Sequence, residues 1–448
     1  MLFSTYLPLF LALQVQAWMP GDIPITSSNG TNLFKSTSRG PNYLGVNHFS
    51  IDPKIRGVNL GSLFVFEPWM VSKTWASMGC GNYSTEFDCV VGLGQDAANK
   101  AFQGHWSTWI TQKDIEEIVS VGLNTIRIPL GYWLVESLVW DNEFFPQGAF
   151  PYLERIVGWA SDAGLYVVLD LHAAPGAQVT MNAFTGQNAI KANFYNTTNY
   201  DRAVVWLEWM TKVTHTNRNF RNVGMVQIIN EPISWASNTT VGLVDYYYPK
   251  AYDAIRKVEK RLRVPKWRNL HIQAMNSLWG SGNFTQNITD PYYVAWDDHR
   301  YTKYDTSVAK SHEAYIKDGC TNSRERGVGE TPTVVGEWSL SVPTDVEWDE
   351  YWNPYFNHSM NVEFYNKWFA AQLHSYEKTN GWIFWTWKNE LGDYRWSYQE
   401  SVIRGVIPVP PQDYDKSVCD GVQRPNRTTP RLNSTRVPVY PGHPPTLV

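Results

Sequence analysis

Two glutamates close apolar runs in this 448-residue chain: Glu231 in Ile229-Asn230-Glu231-Pro232, and Glu337 in Gly336-Glu337-Trp338-Ser339. Carboxyls that face one another can divide the work of breaking a glycosidic bond. One protonates the leaving oxygen while the other attacks the anomeric carbon, and a separation of about 5 Å gives a covalent intermediate and net retention. Their proton affinities must differ, the acid keeping its proton while the nucleophile is ionised. Neither motif decides the matter alone, since a single glutamate at the end of a strand is more often an ion-pair partner. The joint placement carries the argument, and it depends on the elements that hold the pair.

Those elements read as strands and helices in alternation. Short apolar runs rich in β-branched or aromatic residues fall at Arg56–Gly61, Thr125–Leu130, Tyr166–His172, Met225–Glu231, His271–Asn276, Val294–Tyr301, Thr333–Ser339 and Gly381–Lys388. Segments such as VVLDLH and VQIIN are almost continuously apolar, as parallel strands buried on both faces should be. Between them lie helical patterns. ITQKDIEEIVSVG sets Ile110, Ile115, Ile118 and Val121 on one face and stops at Gly122. PYLERIVGWASDAG opens on Pro151 and ends at Gly164. The α/β alternation predicts a (β/α)8 TIM barrel as a single catalytic domain, in preference to a doubly wound sheet with an insertion. The strands span more chain than such a barrel needs, so long rim loops are expected at 66–105, 176–200, 277–293 and 339–360.

In a barrel of this kind functional groups come from the C-terminal ends of the strands. Strands 4 and 7 then bring Glu231 and Glu337 to one rim. Arg127 on strand 2 could hold Glu337 ionised, its plainer role being a buried ion pair. His172 on strand 3, with His299 and Tyr301 on strand 6, could bond sugar hydroxyls and the nucleophile. A metal role for the histidines finds no i, i+4 pair and no H-E-x-x-H run to support it. Trp385 on strand 8 could floor the site or simply pack in the core. No G-x-S-x-G elbow, Walker A loop or G-x-G-x-x-G after a strand is present, which removes the usual support for serine hydrolases and nucleotide enzymes.

Composition sets the setting. A formal net charge of −4 gives no reason to expect nucleic acid or an anionic membrane as partner. The 22 tryptophans are partly core and partly suited to stacking on sugar faces. Residues 1–17 read as a signal peptide cut after Ala17, the apolar run Leu2–Leu13 being too short to span a bilayer. Residues 18–50 form an N-terminal segment, 51–406 the catalytic domain and 407–448 a Pro-rich tail. Sequons at Asn29, Asn82, Asn196, Asn238, Asn283, Asn287, Asn357, Asn426 and Asn433 agree with export and glycosylation. The four cysteines lack C-x-x-C spacing, so disulfides are expected, in one of three pairings. The preferred one joins Cys80–Cys89 around a loop and Cys320–Cys419 between tail and body. A secreted monomer acting on a small glycoside or a β-glucan is the expectation.

The segments RGVNLGSLFVFEPWM, TIRIPLGYW, VVLDLHAAPGAQ, IINEP, DDHRY, VGEWS and GWIFWTWKNE together resemble glycoside hydrolase family 5, and within it the fungal exo-β-1,3-glucanases and rutinosidases. The resemblance runs from about Arg56 to Val406. It implies retention of configuration and no cofactor. It places the acid/base on Glu231 and the nucleophile on Glu337, and it has Asn230 contact the sugar 2-hydroxyl. Arg127, His172, His299, Tyr301 and Trp385 match the family's arginine, subsite histidines, tyrosine and platform tryptophan. Glu67 matches a carboxylate that binds the terminal glucose in the glucanases, and family disulfide placement suits Cys320–Cys419. Departures fall at Leu60–Phe64, at Val179–Phe184 and at Asp298-His299-Arg300-Tyr301. Because these bound the subsites, the resemblance suggests a rutinosidase that releases rutinose from flavonoids, with Met181, Phe184 and Tyr304 against the aglycone. An exo-β-1,3-glucanase is the alternative, and a carbohydrate-binding protein without catalysis the third reading.

Overall fold

The computed structural model describes residues 54–233, 240–322, 330–355 and 358–422. The signal peptide, the segment 18–50 and the tail beyond 422 therefore lie outside the described residues. Eight parallel strands close a barrel in chain order: β1 (Ile55–Asn59), β2 (Thr125–Gly131), β3 (Tyr166–Ala173), β4 (Val223–Gln227), β5 (His271–Met275), β6 (Val294–Arg300), β7 (Thr333–Trp338) and β8 (Gly381–Phe384). Ring closure comes from β1 pairing with β8, Val58 opposite Phe384.

Alternation along each strand builds the barrel in layers. The lower interior is filled by Ile55, Tyr166, Val168, Met225, Ala295, Val334 and Ile383, which form a cluster of their own. Further toward the C-terminal ends the inward side chains turn polar: Asp170, Gln227 and Asp297 two positions past Val168, Met225 and Ala295, Asn59 four past Ile55, and Arg127 on β2, all buried. The apolar plug therefore supports a polar floor, and the chemistry sits above it.

Outward-facing residues meet the helices. Gln112–Ser120 starts on a capping box in which Thr111 and Asp114 exchange hydrogen bonds. It stops at Gly122, whose φ of +88° suits glycine, and where an added Cβ would lie 2.7 Å from Pro410. Residues just past 406 thus run against the base of the barrel. Tryptophans pack heavily between barrel and helices, Trp106, Trp206, Trp338, Trp368, Trp382 and Trp387 being fully buried. Both disulfides form as expected, Cys80–Cys89 and Cys320–Cys419.

Three expectations change. Residues 66–105 carry three helices, Ser72–Ser77, Glu86–Leu93 and Gln95–Thr108, although glycines 79, 81, 92 and 94 break the pattern in sequence. Residues between β5 and β6 form the loop expected at 277–293, with no α-helix and only the 3-10 turn Ser277–Trp279, so it is the eightfold alternation that has one gap. Arg127 is the third residue of β2 rather than its end, because the strand continues through Pro129 and Leu130 to Gly131. Of the sequons, Asn82, Asn196, Asn283 and Asn287 are exposed, while Asn29, Asn238, Asn357, Asn426 and Asn433 lie outside the described residues.

Candidate active site

The guanidinium of Arg127 is the hub. Nη1 donates to Glu337 Oε1 at 2.9 Å and to Asn59 Oδ1 at 2.8 Å. Nε and Nη2 donate to Gln227 Oε1 at 3.0 and 2.8 Å, and Nη2 also reaches Asn230 Oδ1 at 2.9 Å. Asp170 Oδ2 lies 3.0 Å and Asp297 Oδ2 3.9 Å from Nη2. Those carboxylates and Glu337 hold the guanidinium above its usual pKa in spite of burial, which works against the charge. A lysine could not reproduce this fork. Sitting mid-strand, Arg127 still reaches the rim because its side chain is long.

Glu337 accepts a second bond at its other oxygen, from Tyr301 Oη at 2.9 Å. His299 links the two glutamates: Nδ1 lies 2.7 Å from Glu231 Oε1 and 3.7 Å from Glu337 Oε2, while Nε2 lies 3.1 Å from Asp297 Oδ2. Atoms of Glu231, His299 and Glu337 all fall within 4.8 Å of one another. Burial opposes charge on His299, yet Glu337 and Asp297 outweigh it and hold the imidazole well above its ordinary pKa. Both ring nitrogens are engaged by carboxylate oxygens, Nδ1 with Glu231 and Nε2 with Asp297.

Burial also lifts the Glu337 carboxyl above its ordinary value, with His299 and Arg127 pulling it down and Glu231 pushing it up. The donors Arg127 Nη1 and Tyr301 Oη occupy both oxygens of Glu337, an arrangement that favours its carboxylate form.

Glu231 lies beyond the end of β4 with φ at +38°, a conformation rare for a side-chain-bearing residue. Its neighbours are pinned on every side. Gln178 Nε2 donates to the carbonyls of Asn230 and His172 at 3.0 and 2.7 Å. Ile233 N donates to Tyr195 Oη at 2.6 Å, and Trp279 Nε1 donates to Pro232 O at 2.7 Å. The loop replacing the missing helix thus helps fix the segment that carries Glu231.

The remaining expected residues gather at the same place. His172 Nδ1 lies 2.7 Å from Asp170 Oδ2, and its ring stacks on Trp385 at 5.7 Å and 10°. Glu67 accepts from Trp69 Nε1 at 2.9 Å, and burial pushes its carboxyl up to about 7. Phe184 packs edge-on against His172 and Tyr304 against Tyr301, whereas Met181 is 56% exposed.

Asp170, Asp297, Gln227 and Asn59 were not singled out in the sequence. A signal existed for two of them: Asp170 and His172, and Asp297 and His299, are spaced i, i+2 and must share the inward face. Gly336 is bound to the same network, since an added Cβ there would meet Asp297 Oδ1 at 2.0 Å.

A closed parallel barrel with two buried carboxyls facing each other at this distance defines a retaining glycoside hydrolase. The chain belongs to glycoside hydrolase family 5: the family described as "Cellulase (glycosyl hydrolase family 5)" matches residues 92–391. It is a β-glycosidase of that family. It is 53% identical over 418 residues to the "Probable glucan endo-1,6-beta-glucosidase B" of Aspergillus terreus, covering 93% of this chain and 97% of that one. With the "Glucan endo-1,6-beta-glucosidase B" of Emericella nidulans it shares 52% over 417 residues, 92% and 99% of the two chains. Among solved structures, rutinosidase from Aspergillus niger aligns with a TM-score of 0.62 and 20% identity over 79% of this chain and 97% of that one, a likeness of fold. No helix among the described residues is long and apolar enough to cross a membrane.

Proposed function

We propose that this protein is an exported endo-β-1,6-glucanase that works by double displacement, with Glu337 as nucleophile and Glu231 as general acid/base. The linkage is supported by one observation, identity above 50% along nearly the whole of two relatives named for that activity. The roles are supported by the geometry. Glu337, clamped at both oxygens, attacks C1 of the glucosyl unit as Glu231 gives its proton to the departing O6. A water then yields a proton to Glu231 and its oxygen to C1, freeing Glu337. Asn230 Oδ1 is held by Arg127, which turns its amide NH2 toward the cleft and the sugar 2-hydroxyl. Exposed sequons and two disulfides support export.

A β-1,6-glucan and a rutinoside share one feature: the glucosyl unit attacked carries another sugar on its O6. The two sequence-based expectations of a substituted glycone and a β-glucosyl bond thus remain, and the leaving group changes from flavonoid to sugar. Offering the purified protein β-1,6-glucan, laminarin and rutin side by side separates the readings. Gentio-oligosaccharides released from β-1,6-glucan are expected. Intact rutinose from rutin with the glucan untouched selects the diglycosidase, and glucose from laminarin alone selects the exo-glucanase.

Glu231 has its own test. In a β-1,6 linkage the leaving oxygen is a primary alkoxide, which departs poorly without a proton, whereas a dinitrophenolate needs none. Glu231→Ala is expected to lower kcat/KM on the glucan by about 10²–10⁴-fold and to spare the first step on dinitrophenyl β-glucosides. Equal losses on both substrates would contradict the acid role.

A further inference from the structure

Twelve of the described tryptophans are buried, and only Trp140, Trp267 and Trp348 are classed as exposed. Trp140 is covered by the Arg202 guanidinium at 3.9 Å. Trp348 is 55% exposed on the loop that follows β7, a segment too well anchored for this to be slack. Trp352, four residues on, is buried against Tyr315 and His312 at 5.0 and 4.9 Å. Asn361 Nδ2 holds the carbonyls of Glu350 and Asn353 at 3.1 and 2.6 Å. One anchor therefore points inward while Trp348 is presented outward.

The Trp348 ring lies 5.2 Å from the guanidinium carbon of Arg395. That arginine is buried and clamped by Asp393 at 2.8 and 2.7 Å and by Glu347 O at 2.9 Å. A rigid cation beneath the indole fixes its plane. From here a strip runs back to the nucleophile. Glu347 stands in the field of Lys303 and Arg395, and Lys303 Nζ lies 5.0 Å over Trp396 and 5.3 Å over Tyr304. Trp396 is 5.9 Å from Tyr301, whose hydroxyl binds Glu337. With Trp396 buried beneath them, the exposed Trp348 ring and the half-buried Tyr304 and Tyr301 rings, with charged groups between, match the alternating apolar faces and hydroxyl edges of a sugar chain.

We propose that Trp348, with Glu347 and Lys303 beside it, forms a remote platform that binds glucosyl units of a β-glucan away from the bond being cut. This rests on the reading of the chain as a polymer-cleaving β-glucanase. Its continuity with the catalytic carboxyls favours a substrate chain over a protein partner.

The test compares kcat/KM on β-1,6-gluco-oligosaccharides of rising length and on the polymer. Wild type, Trp348→Ala, Trp348→Phe and, as control, Trp267→Ala at the opposite end of the barrel are measured. For wild type and the control, kcat/KM should climb with chain length. Trp348→Ala should flatten the climb, lowering the polymer value about five- to tenfold relative to the dimer through KM, and Trp348→Phe should recover most of it. Equal losses on short and long substrates, or no loss, overturn the platform. Wild type acting on β-1,3- instead of β-1,6-glucan sinks the linkage alone, and the series is then run on β-1,3 oligomers. Turnover of no polymer sinks both.

Discussion

Glu337→Ala is expected to lower turnover of β-1,6-glucan by on the order of 10⁴-fold or more, because the covalent step loses its attacking atom. The structure gives this variant a specific chemical signature. Removing the carboxyl opens space between Arg127 Nη1 and Tyr301 Oη, which both point at it. Azide can occupy that space, neutralised by the guanidinium, and attack C1 from the same side. With a fluoride or nitrophenyl β-glucoside as donor, the product would be the α-glycosyl azide, identified by NMR. A β-azide would place the missing group on the opposite face and exchange the roles of the two glutamates. An inverted sugar from the wild type would remove both roles.

The second large effect belongs to Arg127. Arg127→Met leaves Asp170, Asp297 and Glu337 buried around an apolar side chain. Breaking such a cluster by removing its cation typically costs about 3–5 kcal/mol, which a shift in the urea midpoint at constant slope would measure. Activity should fall by on the order of 10²–10³-fold, as when one preorganised donor is lost from a charged site. The direction of the pH effect distinguishes a chemical role from mere loosening. Arg127 lowers the pKa of Glu337, so without it the carboxyl titrates higher. The carboxylate then persists only at higher pH, and the acidic limb of kcat/KM moves upward. A lowered rate with an unmoved acidic limb would mean that Arg127 serves the fold alone.

Much of this site could be read from residue order. The runs VVLDLH and VQIIN announce strands buried on both faces, and the barrel then forces Glu231 and Glu337 onto one rim. What escaped depends on tertiary contacts. The loop at 277–293 is legible, but nothing local says that Trp279 will tie it to Pro232 and so brace the segment carrying Glu231. Arg127 stands with the strand-end groups in the sequence reading, although the run Thr125–Leu130 already passes beyond it, and it is the length of its side chain that brings it to the rim. Asp170 and Asp297 are marked in sequence only by their i, i+2 spacing to His172 and His299, and their convergence on Arg127 is set by the barrel. Substrate choice is the least legible, because it rests on which side chains of a loop face out. Trp348 and Trp352 stand in one short run, and only packing against Tyr315 and His312 tells the anchor from the exposed ring.

The backbone at Glu231 has a consequence for how such a chain changes over generations. A residue held at φ +38° is at odds with its own Cβ, a conflict of roughly 1 kcal/mol that glycine would not have. Burying a carboxyl there adds to the disadvantage. Drift under selection for folding alone would favour loss of this glutamate, so only continued demand for catalysis retains it. A descendant released from that demand should discard its acid before it discards its barrel. It would then keep a formed cleft and bind sugar without cutting it.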